Sequence, residues 1–157
     1  CQRDFNQPES FDMVYINEKG QKERPAILHI AVLGSFERFI GILIEHYGGA
    51  FPVWLSPVQV KVLPITDKQV EYAKSVVEKL KAENIRTELD DRSETLPAKI
   101  RDAELNKIPY MIIVGDKEQR AKSVSLRLRT QKDIGQIKLE VFIRRIKTKI
   151  EGKSLGL

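Results

Sequence analysis

Five consecutive apolar residues, Tyr110-Met111-Ile112-Ile113-Val114, closed by Gly115-Asp116, constrain the fold of this chain more than any other feature. A run this short suits a strand better than a helix, and its lack of alternation means that both faces are buried. A strand covered on both faces needs helices above and below its sheet, the layering of an α/β domain. The neighbouring sequence supplies them. Residues 58–65 read as a strand, and Thr66-Asp67 as a natural helix start, after which Val70, Ala73, Val77 and Leu80 mark a core face. Residues 85–89 form a second strand, followed by a short helix from Leu96 to about Lys107. Residues 123–130 alternate strictly, with Val124, Leu126 and Leu128 on one face and Ser125, Arg127 and Arg129 on the other. The last helix keeps Leu139, Phe142, Ile143, Ile146 and Ile150 together. This order predicts a small α/β domain with a mixed, mostly parallel sheet of about five strands flanked by helices, large enough to fold independently.

Residues 1–49 read differently. Strands are expected around residues 12–16 and 25–33, then a helix whose stripe is Phe36, Phe39, Ile40, Leu43, Ile44 and Tyr47. Gly48-Gly49 ends that helix, and residues 50–57, with Pro52, Trp54 and Pro57, form an extended connector. The predicted division is therefore 1–49, a linker at 50–57, and a domain at 58–157.

With 157 residues, 41% hydrophobic and 31% charged, the chain suits one or two compact soluble domains. No apolar run approaches the roughly 20 residues that span a bilayer, so no membrane partner is expected. Cys1 is the single cysteine, which excludes an internal disulfide framework and agrees with a reducing, cytoplasmic setting. The opening Cys1-Gln2 is not a Met start, and the chain is expected to be a piece of a longer protein.

Charge is unevenly spread. Residues 1–57 carry 5 Lys/Arg against 7 Asp/Glu, and residues 118–157 carry 11 against 4. A basic end of this kind suggests a polyanionic partner, or simply a solvated lysine-rich surface. Arg127 and Arg129, with Arg120 and Lys122 just before them, suit either a charge-protected sheet edge or a basic patch for RNA. Glu118 is the unusual acid there, and a carboxylate can accept hydrogen bonds from an unstacked guanine.

Gly34-Ser35-Phe36-Glu37-Arg38 opens the first helix directly after an apolar strand. Glycine permits close backbone approach, and a helix N-terminus offers free N–H groups to a nucleotide. Arg38 in the first turn opposes the macrodipole by a few tenths of a kcal/mol, which hints at an anion or a stacked ring. His29 reads as an ordinary strand histidine, because no cysteine or histidine companion stands at metal-ligand spacing. No G-x-G-x-x-G, Walker loop, H-E-x-x-H or nucleophile elbow is present.

The run Pro25-Ala26-Ile27-Leu28-His29-Ile30-Ala31-Val32-Leu33-Gly34-Ser35-Phe36-Glu37-Arg38-Phe39-Ile40-Gly41 closely resembles motif 3 of the threonyl-tRNA synthetase family. The resemblance continues through Glu45, Gly48-Gly49, the block Phe51-Pro52-Val53-Trp54-Leu55-Ser56-Pro57-Val58-Gln59-Val60, Lys99-Ile100-Arg101, Pro109-Tyr110-Met111 and Gly115-Asp116-Lys117-Glu118. It implies a strand–helix fragment of the class II antiparallel catalytic core joined to a C-terminal anticodon-binding domain. Under it Arg38 packs on the adenine of ATP or the adenylate, Ser35 and Gln2 contact the nucleotide, and Ala31 lines the threonine pocket. His29 is implied as one of three protein ligands of a zinc ion that grips the threonine amino and hydroxyl groups, which valine cannot satisfy. Glu118 and Arg127 are implied to read anticodon bases of threonine tRNA, with Lys99, Arg101, Arg120 and Arg129 as backbone contacts.

The resemblance further implies magnesium-ATP, threonine and zinc as ligands of a full-length, homodimeric threonine–tRNA ligase, and none held by this chain alone. Two departures stand out. Cys1 abuts Gln2, where the family carries its cysteine several residues earlier, so Cys1 has no assigned role. Motifs 1 and 2 and the other zinc ligands are not in the sequence. A non-catalytic tRNA-binding module and a prolyl-type synthetase are the alternatives; His29 within Leu28-His29-Ile30-Ala31 argues against the latter.

Overall fold

The computed structural model describes all residues, 1–157, and they form two compact units, Cys1–Leu43 and Ile44–Leu157. In the first unit β1 (Gln2–Asp4) precedes a short helix α1 (Asn6–Ser10), and β2 (Tyr15–Ile16) pairs with β3 (Lys22–Glu23) as a hairpin. β4 (Ile27–His29) lies antiparallel to β1, with Gln2 opposite His29 and Asp4 opposite Ile27. The strand expected over residues 25–33 is thus cut to three residues. Its partner is equally short, so nothing extends the ladder, and Ile30 and Val32 beyond it are exposed.

Helix α2 (Phe36–Tyr47) forms where the apolar stripe predicts it, and the boundary between the units falls inside it. None of its residues is buried; Phe36 is 83% exposed. Phe39, Leu43 and Tyr47 of the stripe are only partly shielded, and the Tyr47 ring meets Phe51 at 5.8 Å between centroids. Gly48 and Gly49 end the helix with φ of 56° and 75°, a region that costs a glycine no Cβ clash.

The second unit is built on a five-stranded mixed sheet. Its strands are β5 (Val60–Pro64), β6 (Thr87–Leu89), β7 (Tyr110–Val114), β8 (Ser123–Leu128) and β9 (Asp133–Lys138), in the order β6-β5-β7-β8-β9. β5 pairs parallel with β6 and β7, while β8 runs antiparallel to both neighbours, so four of five strands share one direction. The apolar run is the central strand, as its composition requires. The crossover helices are α3 (Val70–Ala82), entered through a short 3-10 turn capped by Thr66 and Gln69, and α4 (Leu96–Leu105). A short helix α5 (Asp116–Ala121) follows β7, and α6 (Leu139–Glu151) closes the chain's regular structure.

One core packs α3 and α6 against one face of the sheet, through Ala73, Val76, Leu80, Leu139, Phe142 and Ile146 on Val60, Val62, Ile112, Val124 and Leu126. A smaller core on the other face joins α4 to β5 and β7 through Ala103, Leu63, Met111 and Ile108. Val70, expected on the core face of α3, is only half-buried, and Val76 takes the buried place.

Residues 50–57, read as a linker, are packed into the second unit. Val53 is fully buried in the larger core. The buried Gln59 side chain donates to the Val53 carbonyl at 2.9 Å. Arg86 donates to the carbonyls of Trp54 and Ser56, and Arg129 to those of Ala50, Phe51 and Lys107, at 2.6–3.2 Å. Proline keeps this segment out of helix and sheet, so its carbonyls need side-chain donors, and two guanidinium groups supply them.

Candidate nucleic-acid interface

β8 has two faces of opposite character, as its alternation predicts. Val124, Leu126 and Leu128 enter the larger core, while Ser125 and Arg127 stand on the other side of the sheet, the side on which α4 packs. Register places Arg127 opposite Met111 and Ser125 opposite Ile113. Arg127 lies at the rim of α4, where its Nη2 meets Glu104 Oε1 at 3.4 Å, and the two side chains are 27% and 23% exposed. Its Nε is buried and has no hydrogen-bond partner. A guanidinium carries five N–H donors, so this one is largely uncommitted.

Glu118 is held from two sides. Oε2 accepts from the backbone N–H of Gly115 at 3.0 Å, and Oε1 accepts from the Ser125 hydroxyl at 3.2 Å. The first bond is the carboxylate half of a capping box at the start of α5; Gly115 has no side chain to return it. Gly115 also makes room: a Cβ there would meet Ile65 Cδ1 at 2.7 Å and Glu118 Oε2 at 3.0 Å. The structure thus bonds Glu118 to Ser125 and places Ser125 and Arg127 on one side of the sheet.

The proposed backbone contacts divide. Arg101 and Arg120 are exposed. Lys99 is 4% exposed and donates to the Pro64 carbonyl at 3.2 Å, so its ammonium serves the end of β5. Arg129 is spent on three carbonyls, and its burial lowers its pKa from the ordinary guanidinium value. Charge and position put these two on the list; burial, which a single sequence does not disclose, takes their charged ends away from a phosphate.

In the first unit, Gln2, His29 and Ala31 line an open cleft of about 520 Å³. His29 Nε2 lies 3.0 Å from Asp4 Oδ2. Hydrogen bonding from the Gln7 backbone, then from His29, holds the Asp4 carboxyl below its usual range. The Ser35 hydroxyl accepts from the Arg38 backbone N–H at 3.3 Å, capping α2, and Arg38 is exposed. Nowhere in the chain do three His, Cys, Asp or Glu side chains converge as a metal site would need. No helix is long and apolar enough to cross a membrane.

Glu104 and Ser125, which orient Arg127 and Glu118, escaped the sequence reading. Ser125 was visible on the polar face of its strand; for Glu104 only tertiary packing reveals the pairing.

A family model described as an anticodon-binding domain matches residues 59–149. A threonine–tRNA ligase of Clostridium botulinum is 54% identical over 153 residues, 98% of this chain and 24% of the relative. The chain therefore spans about a quarter of the length of the curated relatives it matches. Among solved structures, the RNA-binding domain of threonyl-tRNA synthetase from Cryptosporidium parvum Iowa II aligns with a TM-score of 0.71 and 37% identity, covering 99% of this chain and 38% of that one. A prolyl-tRNA synthetase from Cryptosporidium parvum aligns with a TM-score of 0.65 at 23% identity, over 94% of this chain and 32% of that one, a likeness of fold alone. With a sheet, helices and polar β8 face of the kind just described, and a matching model over most of its length, the chain belongs to the anticodon-binding domain family.

Proposed function

We propose that this chain is the anticodon-reading part of a threonine–tRNA ligase, and that Glu118 and Arg127 read bases of the threonine tRNA anticodon. The observation that carries this reading is the pairing of a fixed carboxylate with an under-used guanidinium: Glu118 is held by Gly115 and Ser125, and Arg127 makes one long hydrogen bond. Anticodon bases are unstacked in a loop, so their Watson–Crick edges are open to side chains. A guanine offers N–H donors to a carboxylate and O6/N7 acceptors to an arginine, and a good bidentate pair discriminates by about 1–3 kcal/mol. Arg101 and Arg120 supply sequence-independent attraction to phosphate.

The first unit is proposed to belong to the ligase's catalytic centre. Arg38 would stack on the adenine of magnesium-ATP, with Ser35 and Gln2 near the nucleotide and Ala31 and His29 at the threonine. Zinc, when bound, supplies a Lewis acid to the amine and hydroxyl of threonine. This chain contributes only His29 to such a site, so the other ligands, like the homodimer contacts, would come from elsewhere in the full protein. A cytoplasmic setting belongs to the same reading.

Anisotropy titration of a threonine tRNA anticodon stem-loop, against the same stem-loop with exchanged anticodon bases, tests the base-reading claim. Glu118→Gln is expected to weaken cognate binding about tenfold while leaving the exchanged stem-loop unaffected. Wild-type protein that binds both stem-loops equally would overturn it.

A further inference from the structure

Arg127 has an unusual environment for a residue that meets RNA. A polyanion-binding surface normally leaves its arginines free, yet this one faces a carboxylate from the neighbouring helix, Glu104 on α4, at 3.4 Å. The Glu104 side chain has no other hydrogen-bond or ion-pair partner in the chain, and both side chains are mostly shielded from water, where screening is weak. The same geometry leaves Arg127 Nε buried and unbonded. Glu104 is therefore not completing a satisfied network. What it does supply is a negative charge at the arginine that shares a β8 face with Ser125, the residue bonded to Glu118.

Resting on the anticodon-reading assignment, we propose that Glu104 is a specificity-determining residue: it neutralises Arg127, so that the guanidinium answers a neutral base edge and not a phosphate. A phosphate approaching Arg127 meets the repulsion of Glu104, which offsets the attraction of the guanidinium. A base carbonyl or ring nitrogen carries no net charge and accepts from the remaining N–H groups without that penalty. Both carboxylates, Glu104 and Glu118, thus exclude phosphate from the reading site, while exposed Arg101 and Arg120 remain available to the backbone. Glu104 acts through Arg127 and touches no base itself.

The test is Glu104→Gln in the whole chain, which keeps the side chain's size and removes its charge. The titrants are the threonine tRNA anticodon stem-loop and its base-exchanged counterpart, each measured over a range of salt concentrations. Glu71→Gln on α3 makes the same change in net charge at a solvated position on the opposite face of the sheet, and serves as the control. The expected result is about threefold to tenfold tighter binding of the exchanged stem-loop, a smaller gain for the cognate, and a salt slope steeper by about one, none of which Glu71→Gln reproduces. Unchanged discrimination and salt slope in Glu104→Gln, with wild type still discriminating, would overturn the role of Glu104 alone. Weaker binding of both stem-loops, with an unchanged melting profile, would overturn it in favour of Glu104 simply holding Arg127 in place. A wild type that does not discriminate would instead remove the anticodon assignment on which the inference stands.

Discussion

At the scale of residues, arginines that look interchangeable in sequence do opposite work. Arg127 and Arg129 stand two positions apart, and the alternation read over residues 123–130 assigns both to the polar side, although β8 ends at Leu128. Only the packed structure separates them, because Arg129 is turned to the carbonyls of Ala50, Phe51 and Lys107. Arg129→Ala is expected to cost about 3 kcal/mol in denaturant unfolding, since it leaves those carbonyls without a donor. Arg129→Lys should recover only part, because an ammonium lacks the planar fork. Full recovery by lysine would point to a surface charge contact. Asp90 is the clearest pH-dependent residue. It is 3% exposed, takes two bonds from Arg92 at 2.7–2.8 Å, and has Lys61 at 3.9 Å. The Arg92 hydrogen bonds hold its carboxyl below the ordinary value against the opposing effect of burial. A depressed carboxylate stabilises the fold fully above its unfolded pKa of about 3.9, and that contribution is lost as pH falls through the lower folded value. Asp90→Asn should therefore lower stability at neutral pH by about 1 kcal/mol, because half-exposed Arg92 keeps Asp102 as a partner, and flatten the loss of stability in acid, measured by urea unfolding across pH.

At the scale of elements, strong apolar patterning made some pieces legible, and its loss hid others. β7, α2 and α6 have apolar patterns that a single sequence states outright. β9 was not foreseen, because a bulge opposite Leu126 and Arg127 inserts Ile134 and breaks its alternation, and Gly135 follows with φ of 81°. α5 was not foreseen either: Asp116–Ala121 is six residues, nearly all polar, with no stripe to read. Yet α5 is the element that presents Glu118. Its entry passes through Gly115, where a Cβ would crowd Ile65 Cδ1 at 2.7 Å and Glu118 Oε2 at 3.0 Å. Gly115→Ala is expected to leave the thermal midpoint within a few degrees, because Ile65 and Glu118 can both swing aside. It should also weaken cognate stem-loop binding about as much as Glu118→Gln does. A binding loss no larger than the stability loss would contradict that placement of Glu118.

At the scale of the whole molecule, the two units carry different amounts of information about themselves. The second encloses its own core, and its fold follows from patterns within this sequence. The first leaves Phe36, Val32 and Ile30 largely exposed, so its apolar pattern is not matched by a core of its own. The candidate reading site was legible as residue types, an acid among arginines. Its geometry was not, because the partners of Arg127 and Glu118 come from α4, β8 and the residue before α5. Under the proposed function, the 11 Lys/Arg against 4 Asp/Glu in residues 118–157 would draw RNA without choosing its sequence, and the choice would fall to two side chains. The most direct measurement is the ratio of affinities for cognate and base-exchanged threonine tRNA anticodon stem-loops, taken at one salt concentration for wild type and Arg127→Ala. The account predicts a wild-type ratio of at least about tenfold that Arg127→Ala brings close to one, with the affinity for the exchanged stem-loop little altered. A ratio that Arg127→Ala leaves intact, or equal losses for both stem-loops, would contradict base reading by this arginine.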